Sequence, residues 1–71
     1  MIPTYDPERT AREIPADMLS CVNDLKDGLI AWMGNVPVVM KGSKRVAQLE
    51  PEDLAMPAGA IATLRSVWAR Y

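Results

Sequence analysis

The stretch Val36-Pro37-Val38-Val39-Met40-Lys41-Gly42-Ser43-Lys44-Arg45-Val46-Ala47-Gln48-Leu49 decides how this chain folds. Two runs rich in β-branched residues flank Gly42-Ser43, and glycine at the first central position of a short loop marks a type II′ hairpin turn. That register sets Lys41 opposite Lys44, Met40 opposite Arg45, Val39 opposite Val46 and Val38 opposite Ala47. Alternation then assigns Val36, Val38, Met40, Ala47 and Leu49 to the core face. Pro37, Val39, Lys41, Lys44, Val46 and Gln48 take the outer face. Pro37 lacks an amide hydrogen, so its strand is an edge or begins to pair after it. A ribbon of two strands is marginal by itself and must lie on helices.

Those helices flank it. Upstream, Met18, Val22, Leu25, Leu29 and Trp32 recur at four- and three-residue intervals, the seam of a helix over roughly 15–33. Pro15 suits its first turn and Gly34 its left-handed stop. Gly28 inside it costs about 1 kcal/mol relative to alanine and marks the close approach of another backbone. Downstream, Pro51-Glu52-Asp53 starts a short turn that Pro57 interrupts, because the residue before a proline avoids the α region. A final helix runs from about Ala58 to Arg70, with Ile61, Leu64, Trp68 and Tyr71 as its apolar seam.

Residues 1–15 read as an arm. Met1 to Tyr5 are extended around Pro3. Asp6-Pro7-Glu8 then combines a capping carboxylate, proline at the first helical position and an acid in the first turn. Glu8 with Arg12 and Arg9 with Glu13 form opposite-charge pairs four residues apart. Too short to stand alone, this segment either frays or orders on a partner through Ile2, Tyr5 and Ile14. The expected fold is α+β: a proline-rich N-terminal arm carrying a short helical turn (1–15), then one domain (16–71) of helix, short β-hairpin and proline-interrupted helix.

Composition narrows the function. At 71 residues, with one cysteine and no histidine, the chain excludes an internal disulfide, Cys/His zinc sites and histidine-based triads. A domain this small buries only about 60% of its unfolded surface, so packing quality or a partner must supply the rest. A net charge of −1 argues against a dedicated nucleic-acid binder. The apolar runs Leu29–Met33 and Val36–Met40 fall far short of the roughly 20 residues that span a bilayer. The N-terminus carries no secretory pattern, and the lone cysteine fits a reducing, cytoplasmic setting.

Catalytic candidates are thin. Ser43 beside Lys44 lies in an exposed turn, where nothing dries the amine enough to depress its pKa. Gly42-Ser43-Lys44 lacks the order of a phosphate-binding loop, and no metal cluster or cofactor site can be drawn. Binding candidates are better. Lys41, Lys44 and Arg45 gather three cations at the hairpin tip, suited to an acidic partner or to protecting a sheet edge. Val39 and Val46 form an apolar outer pair. Ala55, Gly59, Ala62, Ser66 and Ala69 make a small-residue stripe on the last helix. Trp68 and Tyr71, with Ile2 and Tyr5 of the arm, complete the apolar surplus that one copy has no place to bury.

The expected function is therefore a non-enzymatic protein-interaction module without cofactors, binding another protein or itself through Ile2, Tyr5, Val39, Val46, Lys41, Lys44, Arg45, Trp68 and Tyr71. By analogy of class, such chains are often phage- or mobile-element proteins that bind and inhibit a host protein, or that self-assemble. The second reading is a small DNA-binding regulator using the basic tip. In element order, Met18 to Tyr71 resembles the gpW-type phage head–tail connectors. The resemblance is carried by Gly34 closing the first helix, the Lys41-Gly42-Ser43-Lys44-Arg45 turn and the Leu64/Trp68 seam. It implies a ring component that contacts other virion proteins.

Overall fold

A computed structural model describes residues 2–71, so Met1, counted in the expected extended arm, lies outside the described residues. In chain order the elements are α1 (Pro7–Glu13), α2 (Ala16–Asp24), β1 (Gly28–Met33), β2 (Val36–Lys41), β3 (Lys44–Gln48), α3 (Pro51–Ala55) and α4 (Pro57–Trp68). The α+β class holds, as do the hairpin after Val36 and the proline break in the last helix. One element is corrected. The expected helix over 15–33 stops at Asp24, and its second half is a strand.

The chain turns at Leu25–Asp27. Asp27 adopts a left-handed conformation (φ 61°), and the Gly28 amide donates to the Leu25 carbonyl at 3.0 Å. A Cβ on Gly28 would overlap the Val22 carbonyl oxygen, so the backbone approach expected there is real, although it serves a strand rather than a helix. Gly34 (φ 63°) does not end a helix. It opens the β1–β2 hairpin, as Gly42 (φ 59°) opens the β2–β3 hairpin; both are first central residues, as a type II′ turn requires. The sheet is thus an antiparallel meander in the order β1-β2-β3. The element order behind the connector resemblance, a long helix closed by Gly34, is replaced by helix, turn and strand.

A β-bulge corrects the hairpin register. Lys41 faces Lys44 and Met40 faces Arg45 as expected, but Val39 faces Ala47 and Val38 faces Gln48. One extra residue in β3, next to Arg45-Val46, shifts everything beyond it. The bulge puts Ala47 on the face of Val39, and that face, not the opposite one, meets the helices, so Val39 is not an outer-face residue. It pairs with Ile30 of β1, is fully buried, and shares a core with Met18, Val22, Trp32, Leu49, Leu64 and Trp68. Val46 and Ala47 pack on that core from the edge. Both faces of β2 are apolar, so alternation alone could not decide which one meets the helices. Val36, Val38 and Met40 instead form a second cluster with Leu29, Ala31 and Met33 on the opposite face, and no helical residue belongs to it.

The arm is part of the fold. The Asp6 carboxylate accepts the Arg9 amide as helix cap, and Arg9 pairs with Glu13 at 2.9 Å. Ile14 enters the core at 4% exposure. Thr4 forms a β-bridge with Trp32, exchanging hydrogen bonds of 2.8 Å in both directions. Trp32 is pinned from above as well. Its indole Nε1 donates to Thr10 Oγ1 (3.0 Å), and the Arg9 guanidinium lies 3.8 Å from its ring centroid. Trp68 performs the same service at the other end, donating to the Lys26 carbonyl at 3.0 Å and tying α4 to the turn before β1.

Candidate functional site

The elbow between α3 and α4 borders a concavity. Glu50 and Asp53 form a reciprocal capping box that fixes the start of α3. Pro57 then forbids continuation, leaving Met56 outside the α region (φ −132°, ψ 73°) and α4 restarting at the proline. Residues of α3, α4 and the C-terminal end of β3 together line a groove of about 510 Å³. Ala47 and Leu49 form its floor on the sheet side, and Ala60 and Leu64 its helix wall. Met56 stands at its lip, 77% exposed. Glu52 and Asp53 line the same opening.

Alongside it runs the free edge of the sheet. Among the described residues the β1 edge is bridged by Thr4, whereas β3 pairs with β2 alone. Leu49 donates to the Pro37 carbonyl at 2.9 Å, across to β2. Because successive residues of a strand aim their backbone groups to opposite sides, the N–H and C=O of Gln48 point away from the sheet. An unpaired backbone edge and an apolar groove therefore lie side by side.

The residues singled out in the sequence are scattered around this site rather than gathered in it. Lys41 is not a free tip cation. Its ammonium donates to the Trp68 and Tyr71 carbonyls at 3.1 and 2.7 Å and sits near the Trp68 ring, so it caps the end of α4. Trp68, at 5% exposure, is core rather than partner surface. Lys44 and Arg45 remain exposed at the start of β3, and Val46 is half-buried on its edge. Ile2 (85% exposed) and Tyr5 (61%) lie at the β1 end, where Tyr5 borders a cleft of about 250 Å³ with Leu19, Leu29 and Ile30. Tyr71 is 46% exposed beside Lys41.

Sequence reasoning missed Met56, Leu49 and Gly59 as groove residues. The signal was available: Pro51 and Pro57 bracket a helix too short to bury both faces, and the residue before Pro57 had to leave the α region. The small-residue stripe faces solvent along its length, and of it only Gly59 reaches the groove.

Chemically the groove offers shape, apolar contact and an acidic lip. The Thr63 hydroxyl is engaged with the Gly59 carbonyl at 3.0 Å. Cys21 is buried in α2, away from the groove. Among the described residues no three His, Cys, Asp or Glu side chains gather to hold a metal, and no helix is long and apolar enough to cross a membrane. No family model, curated protein or solved structure matches this chain.

Proposed function

We propose that this chain is a non-enzymatic protein-interaction module that takes a segment of a partner protein along β3, with an apolar side chain entering the groove under Met56. The observation that supports this reading is the juxtaposition of an unpaired strand edge with that groove. An edge supplies backbone hydrogen bonds without regard to sequence, and an adjoining pocket supplies side-chain selectivity, which is the usual division of labour in strand addition. A methionine at the lip adapts to varied partners at little cost.

A protein acting by occupancy alone needs no cofactor, and a phage- or mobile-element-encoded inhibitor or adaptor of a host protein is the class of role we favour. The DNA-binding reading is the weaker one. With Lys41 directed inward, Lys44 and Arg45 are the two tip cations left for phosphates, against three carboxylates just beyond β3, Glu50, Glu52 and Asp53.

Gly59→Arg tests the proposal. A side chain built there meets open space, so the fold tolerates it while the groove is filled. A protein captured by the native chain should be lost by the variant with unchanged circular dichroism; equal capture by both refutes the groove.

A further inference from the structure

Building on the reading of the β3 edge as a protein-binding surface, the geometry points to its occupant: we infer that β3 pairs antiparallel with β3 of a second copy of this chain, about a two-fold axis at Gln48. Three observations converge on this. The first is the direction of the Gln48 backbone. Its N–H and C=O face outward, and on a two-fold axis such a residue meets itself, each copy donating to the other's carbonyl.

The second is the side-chain register this produces. Ala47 comes beside Leu49 of the partner copy, and in each chain both belong to the helix-side face and line the groove. Gln48 lies on the opposite face, across from Val38. Apolar residues therefore meet apolar residues on one side of the joined sheet. The face carrying Leu29, Met33, Val36 and Met40 continues from one copy to the other.

The third is charge. Lys44 and Arg45 lead into the strand, and Glu50, Glu52 and Asp53 follow it. Among the described residues the one ion pair is Arg9–Glu13, so none of these five groups has an ionic partner among them. Antiparallel pairing sets the basic end of each copy against the acidic end of the other, twice by symmetry. A parallel arrangement would set like against like.

The bulge and the two tip cations would ordinarily protect an edge from indiscriminate pairing. Here they restrict regular pairing to the segment after Val46 and admit only a strand whose far end is acidic. The chain itself supplies that strand. So short a pairing makes a weak, salt-sensitive dimer.

Sedimentation equilibrium and backbone amide exchange on the full chain test this, from about 10 µM to about 1 mM protein at low salt. The expected result is a monomer–dimer equilibrium, with the Gln48 amide gaining protection as dimer forms. Gln48→Pro removes an amide that β2 does not use and should abolish dimerisation while the sheet persists.

Lys44→Glu with Arg45→Glu should weaken self-association roughly thirtyfold, since cross-strand charge pairs turn repulsive at both symmetric ends. Mixed with a Glu52→Lys chain, that variant should recover as a heterodimer. A chain that stays monomeric across the range, or a dimer indifferent to both variants, overturns the self-pairing. If such a monomer still captures another protein through a groove that Gly59→Arg blocks, the interaction reading stands and only its occupant changes.

Discussion

Replacing Thr10 by valine should destabilise the protein by about 2 kcal/mol, although the two side chains have nearly the same shape. Thr10 is 4% exposed; its Oγ1 accepts from Trp32 Nε1 at 3.0 Å and donates to the Asp6 carbonyl at 2.7 Å. Valine deletes both bonds. The Asp6 carbonyl keeps the backbone amide of position 10, at 3.0 Å, and so stays satisfied. The indole N–H of Trp32, at 4% exposure, does not. A buried donor without an acceptor costs about 1–3 kcal/mol, and about 4–8 °C of melting temperature accompanies each kcal/mol in a domain this small.

Thermal and urea unfolding followed by circular dichroism should therefore show a loss of about 8–16 °C at unchanged urea dependence. Trp32→Phe supplies the control. With the donor gone, the same Thr10→Val change should cost less than about 1 kcal/mol, since only the redundant bond to Asp6 is removed. An equal cost in both backgrounds would show that the hydroxyl does not hold the indole. A loss below about 0.5 kcal/mol in the native background would show that α1 does not dock on the sheet at all.

Gly28→Ala should lower the urea midpoint by the equivalent of about 2 kcal/mol, because backbone oxygens of Val22 and Leu25 occupy the space a methyl needs. Gly59→Ala should do the reverse and stabilise by about 0.5–1 kcal/mol, as the site is open and helical. Lys41→Met keeps the aliphatic stem but removes the ammonium from the Trp68 and Tyr71 carbonyls. Faster amide exchange confined to the last turn of α4, with a loss of about 1 kcal/mol, is the expected readout.

Much of this fold is legible locally. Asp6-Pro7, Glu50-Pro51 and Met56-Pro57 announce their helix starts through capping and proline chemistry, and Gly42-Ser43 announces its hairpin. The failure at 25–33 has a specific cause. Leu25, Leu29 and Trp32 satisfy a helical period, but Leu29-Ile30-Ala31-Trp32-Met33 is also a continuous apolar run bounded by Asp27-Gly28 and Gly34-Asn35. A strand buried on both faces looks like that, and periodicity alone cannot separate the two. The repeat of a glycine-led turn eight residues apart, Gly34 and Gly42, was the discriminating signal for a meander.

The site was harder to see, because a bulge is invisible in composition. It moved Ala47 from the face of Val38 to that of Val39, while Lys41 was claimed by the carbonyls ending α4. Lys44 and Arg45 do lie exposed, as do Ile2, Tyr5 and Tyr71, while the exposed Met56 had gone unnoticed.

The central claim, that the groove beside β3 is where this protein meets another, is tested most directly by photo-crosslinking from position 56. A crosslinking amino acid in place of Met56 should capture a protein, a second copy included, and the captured species should vanish when Gly59→Arg fills the groove. Crosslinks that persist unchanged in the Gly59→Arg background, or no crosslinked species from a correctly folded chain, would contradict it.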